Sequence, residues 1–284
     1  MTGLVLEGGA MRGLFTAGVL DVLAEHGIRF DGIIGTSAGA AFGCNYKSRQ
    51  PGRVLRYNTR YCRCWRYAGV RSLLLTGDIY GARFCYEDIP LRLDPFDSDA
   101  FAADPTEFWV TATDMDTGEA VYHRCTDGRQ TDLEWIRASA SMPMVSRPVV
   151  LEGCRLSDGG TADSIPLQKL EELGFRRNLV ILTQPADYVK QPNALLPLMR
   201  ISLHRYPRLV EALAHRHEMY NAQLALVRRR EAEGSVLVLR PPQALTIRAV
   251  CHDPDELRRV YEIGSRLALD MLPQIDTFLS QSVH

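Results

Sequence analysis

Phe30-Asp31-Gly32-Ile33-Ile34-Gly35-Thr36-Ser37-Ala38-Gly39-Ala40-Ala41 is the stretch of this 284-residue chain on which the fold turns. A short apolar run over 30–34 predicts a strand ending at Gly35, and the small residues from Ala38 to Asn45 predict a helix. Between them lies Gly35-x-Ser37-x-Gly39. A serine on a sharp strand-to-helix turn has its hydroxyl thrust outward, and its neighbours must be small for the chain to turn there. The helix N-terminus that follows aims amides and partial positive charge at a developing anion. The pattern is weak alone, since an unrelated chain of this length matches about one time in ten at average glycine usage. Its bland reading is a tight turn whose serine merely caps a helix.

Upstream, Leu4-Val5-Leu6 predicts a buried strand opening at Glu7 into Gly8-Gly9-Ala10-Met11-Arg12-Gly13. Leu14, Phe15, Gly18, Val19, Val22 and Leu23 then follow helical spacing, with Gly27 placed to end the helix. Strand, glycine loop, helix, strand, glycine turn and helix argue for an α/β fold, a mostly parallel sheet covered by helices on both faces. Further strands are expected at 108–113, 149–151, 178–183 and 235–239. Helices are expected at 165–173 (closed by Gly174), at 195–233 in two or more pieces broken by Pro197 and Pro207, and at 255–279 with a kink near Pro273. No repeat or linker interrupts the chain, so one domain over 1–284 is expected, with a core over about 4–185 and a C-terminal helical part carrying a late strand over about 190–284.

The glycine loop has two readings. A dinucleotide loop needs Gly-x-Gly-x-x-Gly and an acid about 20 residues on at the end of the next strand; Ala10 breaks the first and Gly35 occupies the place of the second. An oxyanion hole needs rigid backbone N–H groups near a carbonyl that gains charge, and Gly9 and Ala10 would supply them. Arg12 would orient the loop or add positive potential, or else form an ordinary ion pair.

A serine nucleophile needs a base. His26, His123, His204, His215, His217, His252 and His284 carry no catalytic signature, and His204, His215 and His217 share a basic stretch with Arg205, Arg208 and Arg216. Asp158-Gly159-Gly160 stands out instead, after a strand-like segment. Aspartate is a weaker base than histidine, with reference pKa values of about 3.9 and about 6.5. It serves if burial raises its pKa and a direct hydrogen bond positions it. Otherwise it is an Asp-Gly turn, a common device.

Together these residues resemble the patatin-like phospholipase family. Its glycine-rich loop corresponds to Gly8–Gly13, its elbow to Gly35, Ser37 and Gly39, and its Asp-Gly-Gly turn to Asp158, Gly159 and Gly160; Ala138-Ser139-Ala140-Ser141-Met142-Pro143 also looks like a family segment. The likeness covers roughly residues 4–185. It implies a three-layer α/β/α fold and a metal-independent, cofactor-free Ser-Asp dyad acting on lipid-like acyl esters such as phospholipids. The family's loop usually has glycine where Ala10 stands; a Cβ there costs on the order of 1 kcal/mol if the backbone is left-handed. Rival expectations are a silent patatin-fold protein that binds lipid or protein, and an esterase for soluble short-chain esters.

Composition bounds the rest. Net charge of −1 gives no case for nucleic acid, and 46% hydrophobic with 24% charged residues is an ordinary globular balance. Seven cysteines form no paired framework, and Cys62-Arg63-Cys64 is too tight for a zinc knuckle, so free thiols are expected. Without a positively charged leader, a long apolar leader or a run of 18 apolar residues, the expected compartment is the cytoplasm, with peripheral membrane contact open. The arginines and histidines over 200–230 could meet anionic headgroups, though a solvated helix face is the simpler reading.

Overall fold

The computed structural model describes residues 1–280. Its eight strands are β1 (Thr2–Leu6), β2 (Gly32–Thr36), β3 (Glu107–Asp114), β4 (Ala120–Cys125), β5 (Val149–Leu151), β6 (Cys154–Asp158), β7 (Arg177–Ile181) and β8 (Val236–Leu239). They form one sheet in the order β5-β6-β3-β2-β1-β7-β8, with β4 also paired to β3. The run β3-β2-β1-β7-β8 is parallel, and β4, β5 and β6 add antiparallel pairs.

The helices are α1 (Gly13–Glu25), α2 (Ala38–Lys47), α3 (Arg53–Tyr61), α4 (Val70–Thr76), α5 (Ser98–Ala103), α6 (Gln130–Ser139), α7 (Leu167–Glu172), α8 (Leu196–Ser202), α9 (Pro207–Ala232) and α10 (Pro254–Ser280), with a π-helical segment over Phe84–Leu93. Pro197 and Pro207 each sit in the first turn of their helix, where a missing N–H costs nothing. Pro273 lies inside α10 without ending it.

The central strands are buried on both faces, as parallel strands between helices are. Along β1, Leu4 and Leu6 face the core shared with α1, α2 and α10, whereas Val5 faces the one shared with α7 and α9. This is the three-layer α/β/α arrangement. Pairing of β2 starts at Gly32 opposite Gly3 rather than at Phe30; at its entrance the Asp31 carboxylate accepts the Thr2 N–H at 2.6 Å while the Asp31 N–H donates to the Thr2 carbonyl.

Two glycines join the last helix to the first. A Cβ on Gly264 of α10 would stand 2.0 Å from the Phe15 carbonyl oxygen, and one on Gly18 of α1 would stand 2.1 Å from that of Tyr261. The helices therefore meet backbone to backbone, and α1 is the helix that the glycine loop opens. Gly264→Val must push them apart, and overpacking of this kind costs about 1–3 kcal/mol. Urea unfolding of the variant should show that loss; unchanged stability would refute the contact.

Candidate active site

Ser37 lies between β2 and α2 at φ 55° and ψ −121°, a conformation that L-residues rarely adopt. It is held there from several sides. Its N–H donates to Ser139 Oγ at 2.8 Å, and that hydroxyl donates to the Thr111 carbonyl at 2.6 Å. Its carbonyl accepts from the amides of Ala40 and Ala41. A Cβ on Gly39 would stand 2.3 Å from the Leu6 carbonyl oxygen, so the elbow also fits against β1 only with glycine there.

The Ser37 hydroxyl donates to Asp158 Oδ2 at 2.7 Å. Asp158 ends β6, its N–H donates to the Ser141 carbonyl and its Oδ1 accepts from the Gly160 amide at 2.8 Å. Burial raises its carboxyl above the usual range, opposed by the Ser37 hydrogen bond, the Arg216 charge and the Gly160 amide. Each histidine within the described residues bonds elsewhere: His26 to Val22, His123 to Asp132, His204 to Ile201, His215 to Glu218, His217 to Ala214 and His252 to Cys62. His284 lies outside the described residues.

The glycine loop runs alongside. A Cβ on Gly8 would stand 3.0 Å from that of Ser37. Gly9 is extended, at φ 177°, and Ala10 sits at φ 47°, the left-handed region in which its Cβ is costly. Arg12 N–H donates to Gly9 and Gly13 N–H to Ala10 and Met11, whereas among the described residues no acceptor takes the amides of Gly9 or Ala10. Arg12 makes no salt bridge among the described residues, and its Nε is buried without a partner.

Glu7 anchors this loop and escaped the sequence reading. Its carboxylate accepts the Thr183 N–H and, at 2.6 Å, the Tyr220 hydroxyl of α9. Burial raises its pKa, opposed by those bonds and by Arg12. A fully charged residue type at the end of an apolar strand was the available signal, since such residues are buried only when partnered. Asp163 plays a similar part beyond the Asp158 turn. It accepts from Tyr122 at 2.7 Å and Gln223 at 2.6 Å, its carbonyl accepts the Thr36 hydroxyl, and burial lifts its pKa to about 6.

A cavity of about 120 Å³ opens from Ser37, lined by Met11, Phe42, Tyr57, Tyr86, Ile89 and Met142 among others. His123, Cys125 and Asp132 bring ligand-type atoms within 4.8 Å of one another, but Asp132 Oδ2 already accepts the amides of Thr126, Asp127 and Gly128. Asp132 thus clamps a loop. The cysteines are free thiols, Cys62 and Cys64 included. The basic stretch over 200–230 is paired in part, with Arg208 on Glu211, His215 and His217 on Glu218, Arg229 on Glu233 and Arg230 on Glu171 and Glu233, whereas Arg200, Arg205, Arg216 and Arg228 have no carboxylate partner among the described residues. No helix among the described residues is long and apolar enough to cross a membrane.

Comparison with known proteins places the chain. A family profile described as a domain of unknown function, DUF6363, matches residues 206–280. The chain is 28% identical to the uncharacterized protein YjjU of Escherichia coli K12 over 98% of this chain and 79% of that one. It is also 28% identical to lysophospholipase NTE1 of Scheffersomyces stipitis over 65% of this chain but only 12% of that protein, and 30% identical to lysophospholipase nte1 of Aspergillus niger over 61% of this chain and 11% of that protein. Among solved structures, VipD of Legionella pneumophila aligns at a TM-score of 0.49 with 12% identity, covering 96% of this chain and 67% of that one. The profile of the patatin-like phospholipase family matches residues 4–170, which hold the glycine loop, Ser37 and Asp158, and the chain belongs to that family.

Proposed function

We propose that the protein is a lipid acyl hydrolase in which Ser37 is the nucleophile and Asp158 the general base. The observation that carries this is the 2.7 Å hydrogen bond between two buried groups at the mouth of an apolar cavity. Asp158 Oδ2 takes the Ser37 proton as Oγ attacks the ester carbonyl. The free amides of Gly9 and Ala10 then hold the oxyanion, a type of contact worth about 3–4 kcal/mol per donor. As the tetrahedral intermediate collapses, the ester C–O bond breaks, and the departing alkoxide takes the proton from Asp158. The acyl group is left on Ser37. A water then attacks the acyl-enzyme, giving its proton to Asp158, and Ser37 recovers that proton as the fatty acid leaves.

Peripheral lipid contact fits two exposed apolar surfaces better than the basic stretch. Leu74 and Leu75 stand out from α4, and Leu198 and Ile201 from α8. Both helices adjoin the segment 142–147 that lines the cavity: Arg147 N–H donates to Asp78 just past α4, and Met144 packs with Leu196 and Met199.

A second reading has one observation in its favour. The cavity is smaller than the engineered apolar cavity of about 150 Å³ that admits benzene, so a short acyl chain suits it. Soluble short-chain esters would then be substrates too. Rates on one ester series from short to long chains separate the readings: a rise with length supports lipid, a fall supports the soluble ester.

Ser37→Ala should abolish turnover and fluorophosphonate labelling; persistent labelling refutes the nucleophile. Asp158→Asn should keep the fold and cut kcat at least about 100-fold, the low end for general-base catalysis. Ser139→Ala leaves the buried Ser37 N–H without its partner, a loss of about 1–3 kcal/mol. Its kcat should fall more than its KM rises, because the elbow rather than the cavity is disturbed.

A further inference from the structure

Three cations gather by the glycine loop and the Asp158 turn, and none of them lines the apolar cavity. Arg216, on α9, donates from Nε to the Gly160 carbonyl, and a Cβ on Gly160 would stand 3.0 Å from its guanidinium. Tyr220, one turn further along the same helix, has the Lys190 ammonium 4.9 Å from its ring centre. The Lys190 backbone is tied to that helix by paired bonds with Asn221, at 2.9 and 3.0 Å. The Tyr220 hydroxyl reaches Glu7, which leads into the glycine loop that carries Arg12. Arg12, Lys190 and Arg216 are all half-buried, and among the described residues none has a salt-bridge partner.

Most other arginines of the fold are paired with carboxylates, so three unpaired cations in one half-buried place are unusual. Burial and the charges of Arg216 and Arg12 push the Lys190 ammonium down to about 8, as mutual repulsion in a shared space requires. Two buried acids act on this group: Glu7 on Lys190 and Arg12, and Asp158 on Arg216. Glu7 already accepts two hydrogen bonds and Asp158 is committed to the Ser37 hydroxyl and the Gly160 amide, and with both ionised one of the three positive charges stays uncompensated. A half-buried group of three cations with a net positive charge beside the catalytic centre favours an anion. Guanidinium and ammonium groups are the donors that phosphate oxygens take.

We propose that Arg12, Lys190 and Arg216 form a phosphate subsite for the headgroup of the scissile lipid, with the acyl chain in the cavity that opens from Ser37. The inference rests on the acyl hydrolase reading and names its substrate class: a monoacyl ester that carries a phosphate near the ester bond. It also gives the segment over 206–280 a part in the site, because Arg216 and Tyr220 come from it.

The test uses the full chain at pH 7, where Lys190 is protonated, with octanoyl lysophosphatidate and octanoylglycerol below micelle formation. These differ in the phosphate alone. The phosphate ester should be preferred by at least about tenfold in kcat/KM, the effect of one charge-assisted hydrogen bond. Lys190→Gln should erase about that factor, chiefly through KM, while octanoylglycerol turnover stays within about twofold; Lys190→Arg should restore the preference. Equal rates on the two esters in the unaltered protein, or an equal loss on both in Lys190→Gln, would overturn the subsite. Inhibition by inorganic phosphate without any preference between the esters would make it a free-anion site and overturn the headgroup role. Absence of hydrolysis of either ester and of fluorophosphonate labelling would instead sink the acyl hydrolase reading beneath it.

Discussion

Ser37 is held at φ 55°, a backbone position that costs an L-residue on the order of 1–3 kcal/mol, and much of the surrounding structure serves to keep it there. The strain is useful because the turn that produces it is the one that exposes the hydroxyl. Restraints come from separate elements: Ser139 at the end of α6 takes the amide, the first turn of α2 takes the carbonyl, and Asp158 at the end of β6 takes the hydroxyl. Because β2 and β6 both flank β3, the sheet itself fixes the distance between serine and aspartate. A shift of β6 by one residue would turn the Asp158 side chain to the other face.

The electrostatics follow from the same packing. Asp158 is buried, and its carboxyl is pushed upward by the loss of water. Glu7 and Asp163 are buried as well and are pushed in the same direction, yet each is tied to α9, through Tyr220 and Gln223. For each of the three the folded state holds its proton more tightly than the unfolded chain does. Ionisation therefore costs stability, and this cost grows as pH rises from the ordinary carboxylate range; for Asp163 it levels off above about 6. A core that accepts this burden in three places near one turn is sacrificing stability to position charge, as functional sites do.

Much of this could be read along the chain. Leu4–Leu6 and the run before Gly35 are continuous apolar segments ending in glycine, and that signature depends only on neighbours in sequence. The pairing of Ser37 with Asp158 is what the family resemblance implies. What holds them could not be read there: Glu7, Ser139, Asp163 and Arg216 act through partners 28 to 213 residues away. Strand β4, half-buried from Ala120 to His123 with Arg124 exposed and only Cys125 buried, gave no continuous apolar run. Between 53 and 103 the apolar residues divide among core, cavity and solvent. Leu74, Leu75, Leu91 and Leu93 are exposed while Ile89 and Phe84 are buried, so no single face marked α4 or the π-helical segment around Pro90. The backbone contact that Gly18 and Gly264 permit between α1 and α10 likewise joins residues far apart in sequence.

The claim at the centre is that Asp158, and no histidine, governs the reactivity of Ser37. The pH dependence of the rate of fluorophosphonate labelling, measured for the unaltered protein and for Asp158→Asn, tests it most directly. A base must be ionised to act, so the rate should rise with pH through one ionisation lying above the ordinary aspartate range. In Asp158→Asn that rise should vanish and leave a slow, flat rate. The same rise persisting in Asp158→Asn would contradict the account and assign the base to another group.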